Sequence, residues 1–240
     1  MTLVLTKVTR DGIAMAADAA LTESYGEYDR ILIGASKLLA HQPSASCAGT
    51  WGHAVIPHPN IEADPISLEF VVKQFMTTAK SIEHAQSLSG KLVEWLNETF
   101  PKARGVIGID IASVRAQPGR EEAVIYKVMN ADDVGGAVGR FRCRTVREIG
   151  KFDDMEDSIV HISGDVNANA WVDEIRAGIR NAMLRVNRPL PETAEDVAAW
   201  LAVMVRTVSD LYLNLRIGRT IGGPVSTAVL SYSAGTVTVR

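Results

Sequence analysis

Residues 2–18 read TLVLTKVTRDGIAMAAD. Leu3, Val4, Leu5 and Val8 form one apolar run of strand length. Ile13 to Ala17 form another, built of small and apolar residues. Asp11 and Gly12 between them are turn residues, so the two runs read as neighbouring strands of one sheet. No polar leader stands before the first strand, so the opening residues are expected to lie in the body of the fold and not as a frayed end.

Beyond residue 18 the hydrophobic period switches in blocks. Residues 36–41 and 45–50 read as two more short strands. Leu68, Val71, Val72, Phe75, Met76, Ala79 and Ile82 then fall at helical spacing, entered by Ser67 as an N-cap after Pro65. A second helix carries Leu88, Leu92, Trp95 and Leu96 and stops before Pro101. Strands return at about 105–113, 121–129, 139–147 and 158–163. A third helix, from about 166 to 186, lines up Trp171, Ile175, Ile179 and Met183. A fourth starts at Thr193, with Glu195 and Asp196 in its first turn, and strands at about 225–232 and 235–240 close the chain. Single strands alternating with single helices would give a parallel doubly wound sheet. Paired helices between groups of meandering strands give an α+β fold. The expected architecture is a four-layer αββα sandwich, two antiparallel sheets flanked by helix pairs, in one domain spanning residues 1–240. Residues 52–66, GHAVIPHPNIEADPI, are expected to be one long irregular loop.

Composition narrows the function. The 240 residues are 47% hydrophobic and 22% charged, which is globular and not disordered. A net charge of −3 gives no reason to expect nucleic acid or an anionic membrane as partner. Cys47 and Cys143 are too few for a disulfide framework, no apolar run approaches the ~20 residues that span a bilayer, and the start lacks secretory-signal features. A cytoplasmic, soluble protein is expected. Phosphate-cradling glycine motifs, a G-x-S-x-G elbow, C-x-x-C and H-E-x-x-H are all absent. His53, His58, Glu62 and Asp64 share the 52–66 loop at a spacing that matches no standard metal site, so no metal is expected. Asp153, Asp154, Glu156 and Asp157 read as an exposed acidic turn.

Three residues remain with chemistry to offer: Thr2, Asp18 and Lys37. Were Met1 removed, Thr2 would hold a nucleophile and a base together. Its hydroxyl attacks a carbonyl while its own α-amine, titrating near pH 7.7–8.0 in model peptides, accepts the proton. A lysine amine, near 10.4, is a poor base at neutral pH unless perturbed. A buried Asp18–Lys37 pair beside Thr2 would hold an ammonium near the hydroxyl, favouring the alkoxide and keeping the α-amine neutral. Periodicity alone does not bring the three together.

TLVLTKVTRDGIAMAADAALT, followed by SKLLAHQPSASCAGTWG, resembles the start of proteasome β-type subunits, and IGGPVSTAVLSY looks like the Gly-Gly segment before their closing strand. Starting directly at Met1-Thr2 is similar to HslV and the bacterial single-subunit homologues, the betaproteobacterial branch first and Anbu behind it. The resemblance implies the N-terminal-nucleophile hydrolase fold and a threonine-type endopeptidase working inside a self-compartmentalising ring. It implies that Thr2 is nucleophile and base, that Asp18 and Lys37 support it, and that Ser163 of HISGD stands near the terminal amine. It further implies that the Gly49 N–H serves an oxyanion and that Thr22 and Gly49 bind the substrate backbone as an added strand. Cys47 would line the specificity pocket, suiting a medium-sized apolar P1 side chain. No cofactor is implied. The implied partners are an unfolded polypeptide or peptide substrate, copies of the same chain in stacked hexameric or heptameric rings, and an ATP-dependent unfoldase.

The chain also departs from that pattern. Where the family carries D-x-x-S-G-G, this sequence has GRTIGG, so Gly218 replaces an aspartate and Ile221 a serine. These departures motivate a second reading, a ring-forming structural or regulatory homologue with little activity. A third is an N-terminal-nucleophile amidase acting on a small amide without a chamber.

Overall fold

The computed structural model describes residues 2–25, 28–33, 36–52, 55–56, 66–101, 105–117, 120–131, 137–149, 160–215 and 221–240. Its first two strands are β1 (Leu3–Val8) and β2 (Gly12–Asp18), paired antiparallel with Val4 opposite Ala17 and Val8 opposite Ile13. Thr9 closes the connection: its N–H donates to the Gly12 carbonyl at 2.8 Å and its hydroxyl to Asp11 Oδ1 at 2.9 Å. Both faces of this hairpin are buried. Leu3, Leu5, Ala14 and Ala16 turn to one side, and Val4, Val8, Ile13, Met15 and Ala17 to the other. That explains a composition that is apolar throughout and not alternating.

A hairpin of β3 (Ala20–Tyr25) and β4 (Tyr28–Ile33) comes next, then β5 (Leu38–His41) and β6 (Ser46–Gly52). Within the expected 52–66 loop, β7 (Val55–Ile56) pairs with β8 (Ile66–Ser67), so that segment is not wholly irregular. Helix α1 (Leu68–Thr78) starts where Ser67 accepts a hydrogen bond from the Phe70 N–H, the cap read from sequence. It ends before Ala79 and Ile82, which still pack in the same cluster as the helix. Helix α2 (Ala85–Thr99) and the long strands β9 (Ile107–Gln117), β10 (Arg120–Ala131) and β11 (Val138–Ile149) follow. Then come β12 (His161–Gly164), α3 (Val166–Arg185), α4 (Ala194–Asn214), β13 (Val225–Ser231) and β14 (Thr236–Val239).

The strands form two five-stranded sheets, in orders β12-β1-β2-β13-β14 and β11-β10-β9-β6-β5, each antiparallel where its pairs are described. Val4, Met15, Leu38, Trp51, Ala112, Ile125 and Leu230 fill the space between them. Helices α1 and α2 cover the outer face of the second sheet through Val72, Phe75, Leu88 and Leu92. Helices α3 and α4 cover the first through Val172, Leu201, Met204 and Val208, packing on Leu3, Leu5, Ala14 and Ala16. The alanines of β2 let α4 approach closely, which is the use of GIAMAAD. Four layers in the order helix, sheet, sheet, helix are therefore present as expected. The sheet membership is not the chain order: β1 and β2 join the C-terminal strands, and β5 and β6 join β9 to β11.

Candidate functional site

Thr2 extends the end of β1. Its carbonyl accepts the Asp165 N–H at 3.1 Å, so the pairing of β1 with β12 runs one residue past the strand. Gly164 makes this fit. It sits at φ 122°, and a Cβ there would fall 1.6 Å from the Thr2 carbonyl oxygen. Asp18 ends β2 beside it, and Lys37 lies just before β5 on the second sheet. Lys37 Nζ donates to Thr2 Oγ1 at 3.0 Å and to Asp18 Oδ1 at 3.0 Å. All three residues are buried, with the Lys37 and Asp18 side chains fully enclosed.

A buried carboxylate needs more than one partner. Asp18 Oδ1 also accepts the Leu3 N–H at 2.9 Å, while Oδ2 accepts the N–H groups of Ala20 at 3.2 Å and Gly222 at 3.1 Å. Gly222 returns the contact by accepting the Ala19 N–H at 3.1 Å. The IGG segment thus fixes Asp18. Ile221 beside it is buried in the apolar cluster under α4, where it offers no hydroxyl to the site. Gly218 lies outside the described residues, as do Met1, the loop residues His53, His58, Glu62 and Asp64, and the acidic run at 153–157. Burial pulls the Lys37 ammonium below its usual range; the Asp18 charge and hydrogen bond oppose this, with a smaller contribution from Glu69.

The structure brings Thr2, Asp18 and Lys37 together, and the other expected residues lie on β12, β3 and β6. Ser163 on β12 is the register partner of Val4, and its buried hydroxyl makes no hydrogen bond of ordinary geometry. Thr22 lies on β3, opposite Ile31. Cys47 is fully buried between the sheets, and burial pushes its thiol up to about 12. Gly49 sits in mid-β6, with Val4, Met15 and Leu38 around the place a Cβ would take. Thr50 N–H donates to the Lys37 carbonyl, and N–H groups alternate along a strand, so Gly49 faces its β9 partner Asp110.

Two buried acids, Glu69 and Asp110, and the half-buried Lys127 were not singled out from the sequence. Glu69, in the first turn of α1, has a buried Oε2 without a hydrogen-bond partner. Burial pushes its carboxyl up, and its own backbone N–H and the Lys37 ammonium offset part of that. An acid in a first helical turn reads as a partner of the helix dipole, so its position gave no other signal. Asp110 and Lys127 are register partners on β9 and β10. Asp110 interrupts the apolar run IGIDIA, and a charge inside a run buried on both faces was the available sign. One cleft of about 780 Å³, lined by Ser44, His84, Arg115, Glu122 and Tyr126 among others, includes none of the residues around Thr2.

A four-layer αββα sandwich with two antiparallel sheets and four helices is the N-terminal-nucleophile hydrolase fold of proteasome-like proteins. The whole chain is similar to the structure of an Anbu (Gly-1) mutant from Hyphomicrobium sp. strain MC1, with a TM-score of 0.53 and 13% identity over 100% of this chain and 86% of that one. That likeness supports the broad proteasome-like fold and does not single out the betaproteobacterial branch. No family model and no curated protein matches the sequence. Among the described residues no helix is long and apolar enough to cross a membrane.

Proposed function

We propose that this chain is a threonine-type peptidase subunit of a proteasome-like ring, with Thr2 as its nucleophile. The observation that carries the reading is the Lys37 ammonium held 3.0 Å from Thr2 Oγ1 by a carboxylate that is itself fully enclosed. Asp18, held by three backbone N–H groups, keeps that ammonium in place against the cost of burial.

The reaction requires loss of Met1, because the Thr2 nitrogen is otherwise part of a peptide bond. The freed amine takes the hydroxyl proton as Oγ1 attacks the scissile carbonyl, and Lys37 lowers the energy of the alkoxide. The leaving amine departs with the proton. Water, activated by the same α-amine, then hydrolyses the Thr2 ester. An extended peptide would add along β3 near Thr22, since β3 pairs only with β4 among the described residues. For the Gly49 N–H to serve the oxyanion it would have to leave its place opposite Asp110. Stacked rings of this chain would enclose the sites, and an ATP-dependent unfoldase would feed them.

Hydrolysis of fluorogenic peptides by the purified oligomer tests this. Thr2→Ala should abolish turnover, Thr2→Ser should retain part of it, and light scattering should report a ring-sized particle. A fully active Thr2→Ala protein would refute the reading. The buried Ile221 favours the second reading, a ring-forming homologue with little activity. A ring-sized particle that retains Met1 and cleaves no peptide would establish it.

A further inference from the structure

Next to Thr2 the two sheets enclose a second polar group that the threonine reaction does not account for. Gly49 faces Val4 and Met15 across the gap, so its β9 neighbour Asp110 also points inward. On the opposite sheet Ser163 is paired with Val4 and shares its face. Asp110 and Ser163 thus oppose each other, one strand over from the Val4–Gly49 contact. Asp110 is held firmly: Trp51 Nε1 donates to its Oδ1 at 3.1 Å, and Lys127 Nζ lies 3.9 Å from the same oxygen. Lys127 also stands 5.2 Å over the Trp51 ring, which itself lies flat across Gly108. Both Asp110 and Ser163 are buried. Burial pushes the Asp110 carboxyl up from its usual 3.8, and Lys127, Ser163, Trp51 and Arg144, in that order, stabilise its charge.

Thr2 and Val4 lie on one face of β1, two residues apart, so Ser163 is a diagonal neighbour of Thr2, roughly 7–8 Å away between backbones. A buried carboxylate on one side and the nucleophile on the other leave the Ser163 hydroxyl to bridge them. We propose that Asp110 is a positioning residue that orients the Ser163 hydroxyl toward the amino end of Thr2, with Trp51 and Lys127 fixing the carboxylate. Ionised, Asp110 only accepts and holds the Ser163 hydroxyl most strongly; protonation weakens that hold and adds a competing donor. The Ser163 oxygen then turns its lone pairs to the Thr2 amine, directly or through one water. The inference rests on the threonine reading above.

The test is the rate at which a peptide epoxyketone labels Thr2, measured from pH 5 to 9 for wild type, Asp110→Asn, Ser163→Ala and the double variant. Asn keeps an acceptor for Trp51, and melting temperature checks the fold. Asp110→Asn and Ser163→Ala should each slow labelling about tenfold, the scale of one hydrogen bond to a charged group, and remove the acid limb that Asp110 contributes. The double variant should be no slower than either single one, because Asp110 acts through Ser163. Wild-type rates in Asp110→Asn, or a double variant whose losses multiply, would overturn the inference alone. Wild-type protein that is not labelled at all would overturn the threonine reading and this inference with it. If Asp110→Asn folds poorly, Ser163→Ala decides: an unchanged pH profile there overturns the proposal.

Discussion

Replacing Lys37 by Met removes the ammonium and keeps most of the side-chain volume. The change therefore isolates the charge without opening a cavity. In the wild type Lys37 Nζ is bonded to Thr2 Oγ1 and Asp18 Oδ1, both at 3.0 Å, and neither charged side chain touches solvent. Breaking a buried pair by removing one partner costs about 3–5 kcal/mol, because the other charge stays buried and unpaired. Asp18 keeps its N–H donors from Leu3, Ala20 and Gly222, so the lower end, about 3 kcal/mol, is expected. With a denaturant slope of about 3 kcal/mol per M in urea, the unfolding midpoint should drop by about 1 M. The Thr2 hydroxyl loses its charged donor in the same step, and epoxyketone labelling should slow by about 10²–10³-fold. Urea unfolding at fixed protein concentration and labelling kinetics on the same preparation give both numbers. A midpoint shift under about 0.3 M together with near-normal labelling would show that the pair does not organise the site.

Three further outcomes follow from particular contacts. Gly164→Ala should abolish labelling of Thr2, since the new Cβ meets the Thr2 carbonyl oxygen 1.6 Å away and φ is 122°; rates within a few-fold of wild type would contradict the β12 mount. Gly108→Ala should push the Trp51 ring from its seat, where the Cβ would come 2.0 Å from Cζ2, with a cost of about 1–3 kcal/mol and a shift in tryptophan emission. An unshifted spectrum and melting temperature would contradict that packing. His41 is buried between Ser44 Oγ and the Ala79 carbonyl, and burial holds its imidazole below the usual 6.5. The unfolded chain then binds a proton more readily, so stability should fall as pH drops below about 6.5. His41→Gln should flatten that slope between pH 7.5 and 5.5, and an identical slope would refute the assignment.

The first hairpin was legible because its signals are local: a strand-length apolar run, Asp11–Gly12, and a second run. The same holds for the helices, whose period and caps at Ser67 and Thr193 need no distant partner. Sheet membership was not legible. Nothing in KLLAH or SCAGTWG says that β5 and β6 join β9 and not the strand before them, since local pattern does not encode which edge a strand pairs with. The β3–β4 hairpin was missed because LTESY mixes polar and aromatic residues without a clear apolar face. Thr2, Asp18 and Lys37 stand 19 and 35 positions apart along their hydrogen bonds, beyond any periodicity, and it was the resemblance that joined them before the fold did. Residue type and position alone did not show how Gly49 and Cys47 sit in β6. The motif matches, yet strand alternation turns the Gly49 amide into the sheet, and the inner face of β6 encloses Cys47.

Intact-mass spectrometry of the native protein, with and without a peptide epoxyketone, tests the central claim most directly. The account predicts a chain that begins at Thr2 and gains one inhibitor per subunit, with no gain in Thr2→Ala. A chain that keeps Met1, or an adduct that persists in Thr2→Ala, would contradict it.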